Sequence, residues 1–225
     1  RINGMTISPK IWDDIYLHGN FMLYPSEFFV RLMRSTEAQS GIKGITLDHG
    51  CGSGNNAECL FRAGHAIACS EVSQTALDVT RDRLVKAGAT NPSCHLVDPS
   101  QPLEPQLPKY DNVVSWLALC YAPAADMAAA ISQLIEGMSP SGFIWFATPT
   151  KNDLLYRISM PGDGPSRTLG ATAGAQEGAV MTIFDDHSDV EAMFVGTEVL
   201  DSGTYGMMFS GVQHEYMVIH ARKPD

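Results

Sequence analysis

Three glycines at every second position, within Leu47-Asp48-His49-Gly50-Cys51-Gly52-Ser53-Gly54-Asn55-Asn56, constrain this chain more than any other feature. The run 45–49 before them has the length and apolar content of a strand, and 55–63 after them reads as a helix. Glycine is needed where a backbone turns sharply and where a neighbour presses on the main chain with no Cβ in the way. A strand, a glycine turn and a helix N-terminus in that order make the first unit of a parallel sheet with helices on its faces. The same rhythm continues: strand 66–70, helix 73–87 with Leu77, Leu84 and Val85 inward, strand 94–97, a Pro-rich linker 99–108, strand 112–117, an alanine-rich helix 124–137 and strand 142–147.

Outside that core the pattern changes. Residues 8–38 read as two short helices, the first opened by Ser8-Pro9 and the two separated by His18-Gly19-Asn20. Residues 159–179 are rich in Gly, Ala, Thr and Pro and read as a long loop of the kind that serves as a lid. A short helix is expected over 188–194, then strands 198–204 and 215–221 as an antiparallel pair. The expected fold is α/β: a doubly wound, seven-stranded, mostly parallel sheet with an antiparallel last strand and N-terminal capping helices. One domain is expected over 1–225, with a helical cap at 8–38, a ligand-binding core at 44–147 and a lid at 159–179.

The chain's 225 residues, 44% hydrophobic and 18% charged, suit one such domain. A net charge of −10 repels phosphate backbones, and no stretch is dominated by Lys and Arg, so nucleic acid is disfavoured as a partner. Five cysteines (Cys51, Cys59, Cys69, Cys94 and Cys120) form no CxxC pair, which offers no zinc motif and suits a reduced, cytoplasmic protein. No membrane-length apolar run or signal-like segment is visible, so no membrane partner is expected.

The glycine spacing is GxGxG, whereas a dinucleotide fingerprint, GxGxxG, would need its third glycine at Asn55. With Asp48 two positions ahead, Gly50, Gly52 and Gly54 resemble motif I of the class I S-adenosylmethionine (AdoMet)-dependent methyltransferases. Glu71 ends the second strand 21 positions after Gly50, where a carboxylate accepts from both hydroxyls of a ribose. Asp98 ends the third strand, where the family places a carboxylate against the adenine amino group, although Pro99 removes a backbone donor the family often uses there. Tyr110-Asp111-Asn112-Val113-Val114-Ser115 resembles the family's fourth strand, and Met138-Ser139-Pro140-Ser141-Gly142-Phe143 its turn into the fifth. The resemblance implies AdoMet as cofactor, bound by Asp48, Gly50, Cys51, Gly52, Gly54, Glu71, Val72, Asp98 and Ser115. His49 departs from the family's aliphatic preference and reads as a tolerated neighbour of the turn.

Absent motifs narrow the acceptor. Ser115-Trp116-Leu117-Ala118 is not the Asn/Asp-Pro-Pro-aromatic sequence of base-amino methylation, and no glutamate pair follows to suggest arginine methylation. Asp111-Asn112 stands at the wrong strand end for a catechol-type metal site, so no metal is expected. A small-molecule acceptor is expected, with methylation of protein or RNA and a non-catalytic AdoMet-binding module as alternatives. For the acceptor side the candidates are Tyr16, Tyr24, Trp116 and Tyr121, with His187 and His214 as possible bases; each can equally be a packing or capping residue. A base is needed only if the accepting group carries a proton of high pKa.

Overall fold

Strand β1 (Ile45–His49) is buried from its second residue onward, because it runs between two other strands and has helices over both faces. The structure, a computed structural model, describes residues 8–40 and 42–225. Two helices precede β1, α1 (Pro9–Leu17) and α2 (Glu27–Ser40). After it come α3 (Asn55–Arg62), β2 (Ala66–Glu71), α4 (Gln74–Lys86), β3 (Ser93–Leu96), β4 (Asn112–Trp116), α5 (Ala124–Gly137) and β5 (Phe143–Pro149). The short α6 (Leu154–Arg157), β6 (Ser159–Pro161), β7 (Ser166–Leu169), β8 (Val180–Thr182) and α7 (His187–Glu191) lead to a terminal hairpin, β9 (Glu198–Phe209) and β10 (Val212–Arg222). The main sheet has the order β3-β2-β1-β4-β5-β10-β9. The first five strands are parallel, and β10 joins β5 antiparallel, which is the fold expected from sequence. Strand order reverses between β1 and β4, and a crevice opens at their carboxyl ends, the place where open α/β sheets bind ligands.

Alternation along the central strands divides the core. Val113, Ile144 and Phe146 face α5, meeting Met127, Ile131 and Leu134. Val114 and Trp145, the intervening residues, face the other side and meet Phe29, Met33 and Leu60 of α2 and α3. Alanines in α5 let it lie close to the sheet.

Three expectations need correction. The segment 159–179 is no structureless loop: β6 and β7 pair with β8 in a three-stranded antiparallel sheet, with a 3-10 turn at Ala171–Gln176. Its strands are too short to show a period. They are held by burial of Leu169, Ala179, Met181 and Ile183 against Ile11, Tyr121 and Leu155, partners distant in sequence. Secondly, the hairpin strands run on through Gly203 and Gly206, and meet at Ser210-Gly211, both left-handed (φ 50° and 76°) as tight hairpins require. Its tip passes β5, whose last partner is Tyr216 opposite Pro149. Thirdly, Val85 of α4 is 52% exposed, while Ala76, Leu77, Thr80 and Leu84 form the buried face. Among the described residues no helix is long and apolar enough to cross a membrane.

Candidate active site

The glycine turn is tied to β2. The amides of Gly50 and Cys51 both donate to the Ser70 carbonyl, at 2.8 and 3.1 Å. Gly50 and Gly52 have φ of 71° and 53°, and neither has room for a side chain. A Cβ on Gly50 would stand 2.2 Å from the Cβ of Ala118, and one on Gly52 would stand 2.4 Å from the Tyr16 hydroxyl. Gly54, also left-handed, is the N-cap of α3.

Two carboxylates lie buried beside this turn. Asp48 accepts from the Ala57 amide, but its Oδ2 has no partner. Burial, and then the nearby charge of Glu71, push its carboxyl up to about 7. The Glu71 carboxylate accepts three backbone N–H groups: Gly52 at 3.0 Å on Oε2, and Val72 at 2.7 Å and Ser73 at 3.2 Å on Oε1. Burial raises its pKa all the same, against the opposing pull of those donors.

Between this turn and α1 lies a cleft, open on one side. Its floor is Gly50, Glu71, Val72 and Val97, and one wall is Leu117, Ala118 and Leu119. Leu117 holds a left-handed φ of 56°, a costly conformation for a branched side chain, fixed in part by its amide donating to the Ala147 carbonyl at 3.0 Å. Trp12, Tyr16 and Tyr121 supply aromatic surface opposite. Trp12 meets Tyr121 edge-on at 4.6 Å, and the Tyr121 hydroxyl accepts from Gln176 Nε2 at 3.0 Å, so the small sheet's 3-10 turn braces this wall. Burial pushes both phenols, Tyr16 and Tyr121, far above their ordinary pKa, so both stay protonated. His49 also faces the cleft. Its Nδ1 is 2.8 Å from Ser70 Oγ, and burial pushes its pKa down to about 4, leaving a neutral imidazole at pH 7. Helix α1 is fastened over the cleft by Asp13, whose Oδ1 accepts from Ser73 Oγ at 2.5 Å and the Thr75 amide at 3.2 Å, at the N-terminus of α4.

The structure thus brings Gly50, Glu71, Val72, Tyr16 and Tyr121 together, with Asp48, Gly52 and Gly54 beside them. Other expected residues lie elsewhere. Asp98 is exposed and its Oδ1 accepts from the amide and hydroxyl of Ser100, which makes it a turn residue. The Cys51 and Ser115 side chains are buried outside the cleft wall, Cys51 in the packing under α3 and α4. Trp116 packs on Phe29 of α2 at 5.0 Å, and Tyr24 is 77% exposed. His187 lines a separate cavity with Thr150, Asp186 and Glu215, and His214 lies 3.4 Å from the buried carboxylate of Asp153. Neither histidine reaches the cleft. Sequence reasoning missed Trp12 and His49. Trp12 stands one helical turn before Tyr16, a spacing that put both on one face; His49 is the residue set aside as a departure. The bracing by Gln176 carries no sequence signal, because it depends on the fold of the small sheet.

Comparison with known proteins agrees with this geometry. Residues 47–144 match the family model of a methyltransferase domain. No curated protein matches the sequence. Among solved structures, one from work on the conversion of a disulfide bond into a thioacetal group during echinomycin biosynthesis superposes with a TM-score of 0.71 at 16% identity, covering 96% of this chain and 92% of its own. A SAM-dependent methyltransferase from Anabaena variabilis superposes with a TM-score of 0.70 at 14% identity, covering 99% and 98%. The 1,6-didemethyltoxoflavin-N1-methyltransferase of Burkholderia thailandensis, with bound 1,6-didemethyltoxoflavin and S-adenosylhomocysteine, gives a TM-score of 0.67 at 16% identity, covering 96% and 87%. With the family model matched across the glycine turn and the strands that carry the cleft, residues 47–144 form a methyltransferase domain, and the fold along nearly the whole length is the one found in SAM-dependent methyltransferases.

Proposed function

We propose that this enzyme methylates oxygen, nitrogen or sulfur of a small molecule with an apolar or ring-bearing body, without a metal, and that the cleft under α1 takes both cofactor and acceptor. The observation that carries this reading is the cleft's mixed lining: the Glu71 carboxylate and the Gly50 backbone together with Trp12, Tyr16, Tyr121 and neutral His49. Such a mixture of apolar surface with a few polar groups suits a small ligand. The residues fit AdoMet. The orphaned Oδ2 of Asp48 is a buried acceptor awaiting a donor, which the α-ammonium group supplies. Glu71 keeps part of its acceptor capacity for the ribose hydroxyls, and Val72 and Val97 offer apolar surface to the adenine. The first turn of α3 offers backbone N–H groups and a positive dipole end to the carboxylate.

When bound, AdoMet supplies an electrophilic methyl on a sulfonium cation. The protein's part is to align the acceptor and exclude water, which supplies most of the acceleration in a displacement of this type. His49, held neutral by burial that lowers its pKa to about 4, offers the acceptor a hydrogen-bonding imidazole and is too weakly basic to hold its proton. The Burkholderia thailandensis enzyme, with its bound 1,6-didemethyltoxoflavin, is in keeping with a small acceptor. The net charge of −10 speaks against RNA. The absence of disulfides among the five cysteines suits a reducing cytoplasmic setting. Methyl-labelled AdoMet is incubated with the protein and with small-metabolite pools, total RNA or cell protein, each with and without a chelator. Label is expected in the metabolite fraction whether or not the chelator is present; label confined to RNA or protein, or lost on chelation, overturns the reading.

A further inference from the structure

Three cysteines meet behind the glycine turn, outside the cleft wall. Cys69 of β2 and Cys94 of β3 are direct register partners on adjacent parallel strands, so their side chains leave the sheet on the same face. Cys51, between Gly50 and Gly52, packs with Cys69 under Ala57, Leu77 and Leu84, and Cys94 lies against the same cluster. The Cys69 thiol interacts with both of the others. Cys51 and Cys69 are buried, whereas Cys94 is only partly covered. Adjacent strands run about 4.8 Å apart, inside the range of about 4.4–6.8 Å between Cα atoms that a disulfide spans. Methyl transfer has no use for these thiols.

We propose that Cys94, Cys69 and Cys51 form a thiol relay that carries oxidation by a peroxide from the edge of the sheet into the glycine turn, and so switches cofactor binding off. This rests on the reading that the turn binds AdoMet. The Cys94 thiolate attacks the peroxide: an S–O bond forms, the O–O bond breaks, and the departing oxide takes a proton from water, leaving a sulfenic acid. The Cys69 sulfur then attacks that sulfur, an S–S bond forms, and water leaves with the Cys69 proton. In the last step the Cys51 sulfur attacks Cys69, the Cys69–Cys94 bond breaks, and Cys94 regains a thiol with the proton Cys51 gives up.

The environments favour Cys94 both as the first thiolate to react and as the leaving group of the last step. The hydrogen bond from Cys69 and the Arg81 charge hold Cys94 below the ordinary thiol range, so thiolate forms at the accessible end. The Cys51 and Cys94 thiols and burial all raise Cys69. At Cys51 the Cys69 hydrogen bond pulls downward, but burial, Asp48 and Glu71 raise it more. Cys51 lies 3.7 Å from Thr80 Oγ1, whose hydroxyl also donates to the Gly52 carbonyl at 2.7 Å. Drawing the Cys51 sulfur onto Cys69 pulls the residue between the two cleft glycines away from Thr80 and disturbs the Gly52–Glu71 contact.

The test titrates reduced protein with hydrogen peroxide, maps disulfides by mass spectrometry after alkylation, and measures S-adenosylhomocysteine affinity by calorimetry before oxidation, after it, and after a thiol reductant. A Cys69–Cys94 disulfide is expected first and Cys51–Cys69 later, with affinity falling about tenfold and restored by the reductant. Cys94→Ser and Cys94→Ala should bind like reduced wild type and resist the peroxide, while Cys59→Ser should oxidise and switch like wild type. Oxidation that stops at Cys94 without a disulfide, a disulfide that leaves affinity unchanged, or a Cys94 variant that switches at the wild-type dose would each overturn the relay. Reduced wild type that binds no S-adenosylhomocysteine would instead sink the cofactor assignment, with the disulfide map still judging the relay's chemistry.

Discussion

Replacing Asp48 by Asn should make the empty enzyme more stable and its cofactor binding weaker, two opposite effects from one atom. Asp48 is fully buried, with one oxygen unpartnered and its pKa raised from 3.8 to about 7. A carboxyl whose pKa is raised by folding costs stability increasingly as pH rises from the unfolded value to the folded one, and the full cost is present above about 7. The shift corresponds to roughly 2–4 kcal/mol at pH 8, which the neutral amide avoids while still accepting from the Ala57 amide. Thermal unfolding of ligand-free protein at pH 8 should therefore show a higher midpoint for Asp48→Asn, with the gain vanishing near pH 4. Cofactor binding should respond the other way, since a hydrogen bond to a charged group is worth about 1.5–3 kcal/mol, or roughly 10- to 150-fold in affinity. In wild type the ammonium group favours the ionised carboxylate, so affinity for S-adenosylhomocysteine should climb between pH 5.5 and 7.5, with proton release below about pH 7. The ligand's own α-amino group, of pKa about 7.7–8.0, stays mostly protonated in that window. Calorimetry in buffers of different ionisation enthalpy reads both quantities. Equal affinity of the two proteins, or a pH-independent wild type, would refute the reasoning.

Glu71→Ala leaves the Gly52, Val72 and Ser73 amides without their acceptor, so cofactor affinity should fall by tenfold or more and the melting point should drop by a few degrees, on the order of 1–3 kcal/mol; calorimetry and thermal unfolding check it, and unchanged affinity would remove Glu71 from the site. Gly52→Ala places a Cβ 2.4 Å from the Tyr16 hydroxyl and 3.4 Å from its ring carbon, so adding Tyr16→Phe should recover part of the lost stability, leaving the cost of about 1 kcal/mol for the left-handed φ; a double variant no more stable than the single one refutes the contact. Asp13→Ala removes the acceptor for Ser73 and Thr75 and should cost about 1 kcal/mol while exposing α1 to protease sooner than the sheet; an unchanged cleavage rate within α1 counts against the fastening.

The parallel core was legible because its signals are local. A glycine turn between a strand and a helix, and a carboxylate at the end of the next strand, both follow from chain connectivity, and Gly50 and Glu71 stand where that connectivity puts them. Asp98 rests on the same kind of positional argument, and here its Oδ1 is turned to nearer donors, the amide and hydroxyl of Ser100 two residues on. His187 and His214 were named for their chemistry alone, which says nothing about which cavity a side chain reaches. The small sheet at 159–182 was illegible for a different reason: its apolar residues find their partners in α1 and beside Tyr121, more than a hundred positions away in the case of Ile11.

Helix α1 supplies Trp12 and Tyr16 to a cleft whose other walls belong to the sheet, and a single carboxylate pins that helix to α4. The cleft is therefore a joint between two bodies, and its capacity is a kinetic quantity as well as a volume. With the Tyr16 hydroxyl resting on Gly52, a ligand that enters by the open side reaches the backbone of that glycine only once the hydroxyl gives way. Its association rate will level off at high ligand concentration, at the frequency with which α1 lifts, and a ligand already seated will leave no faster than that same frequency allows.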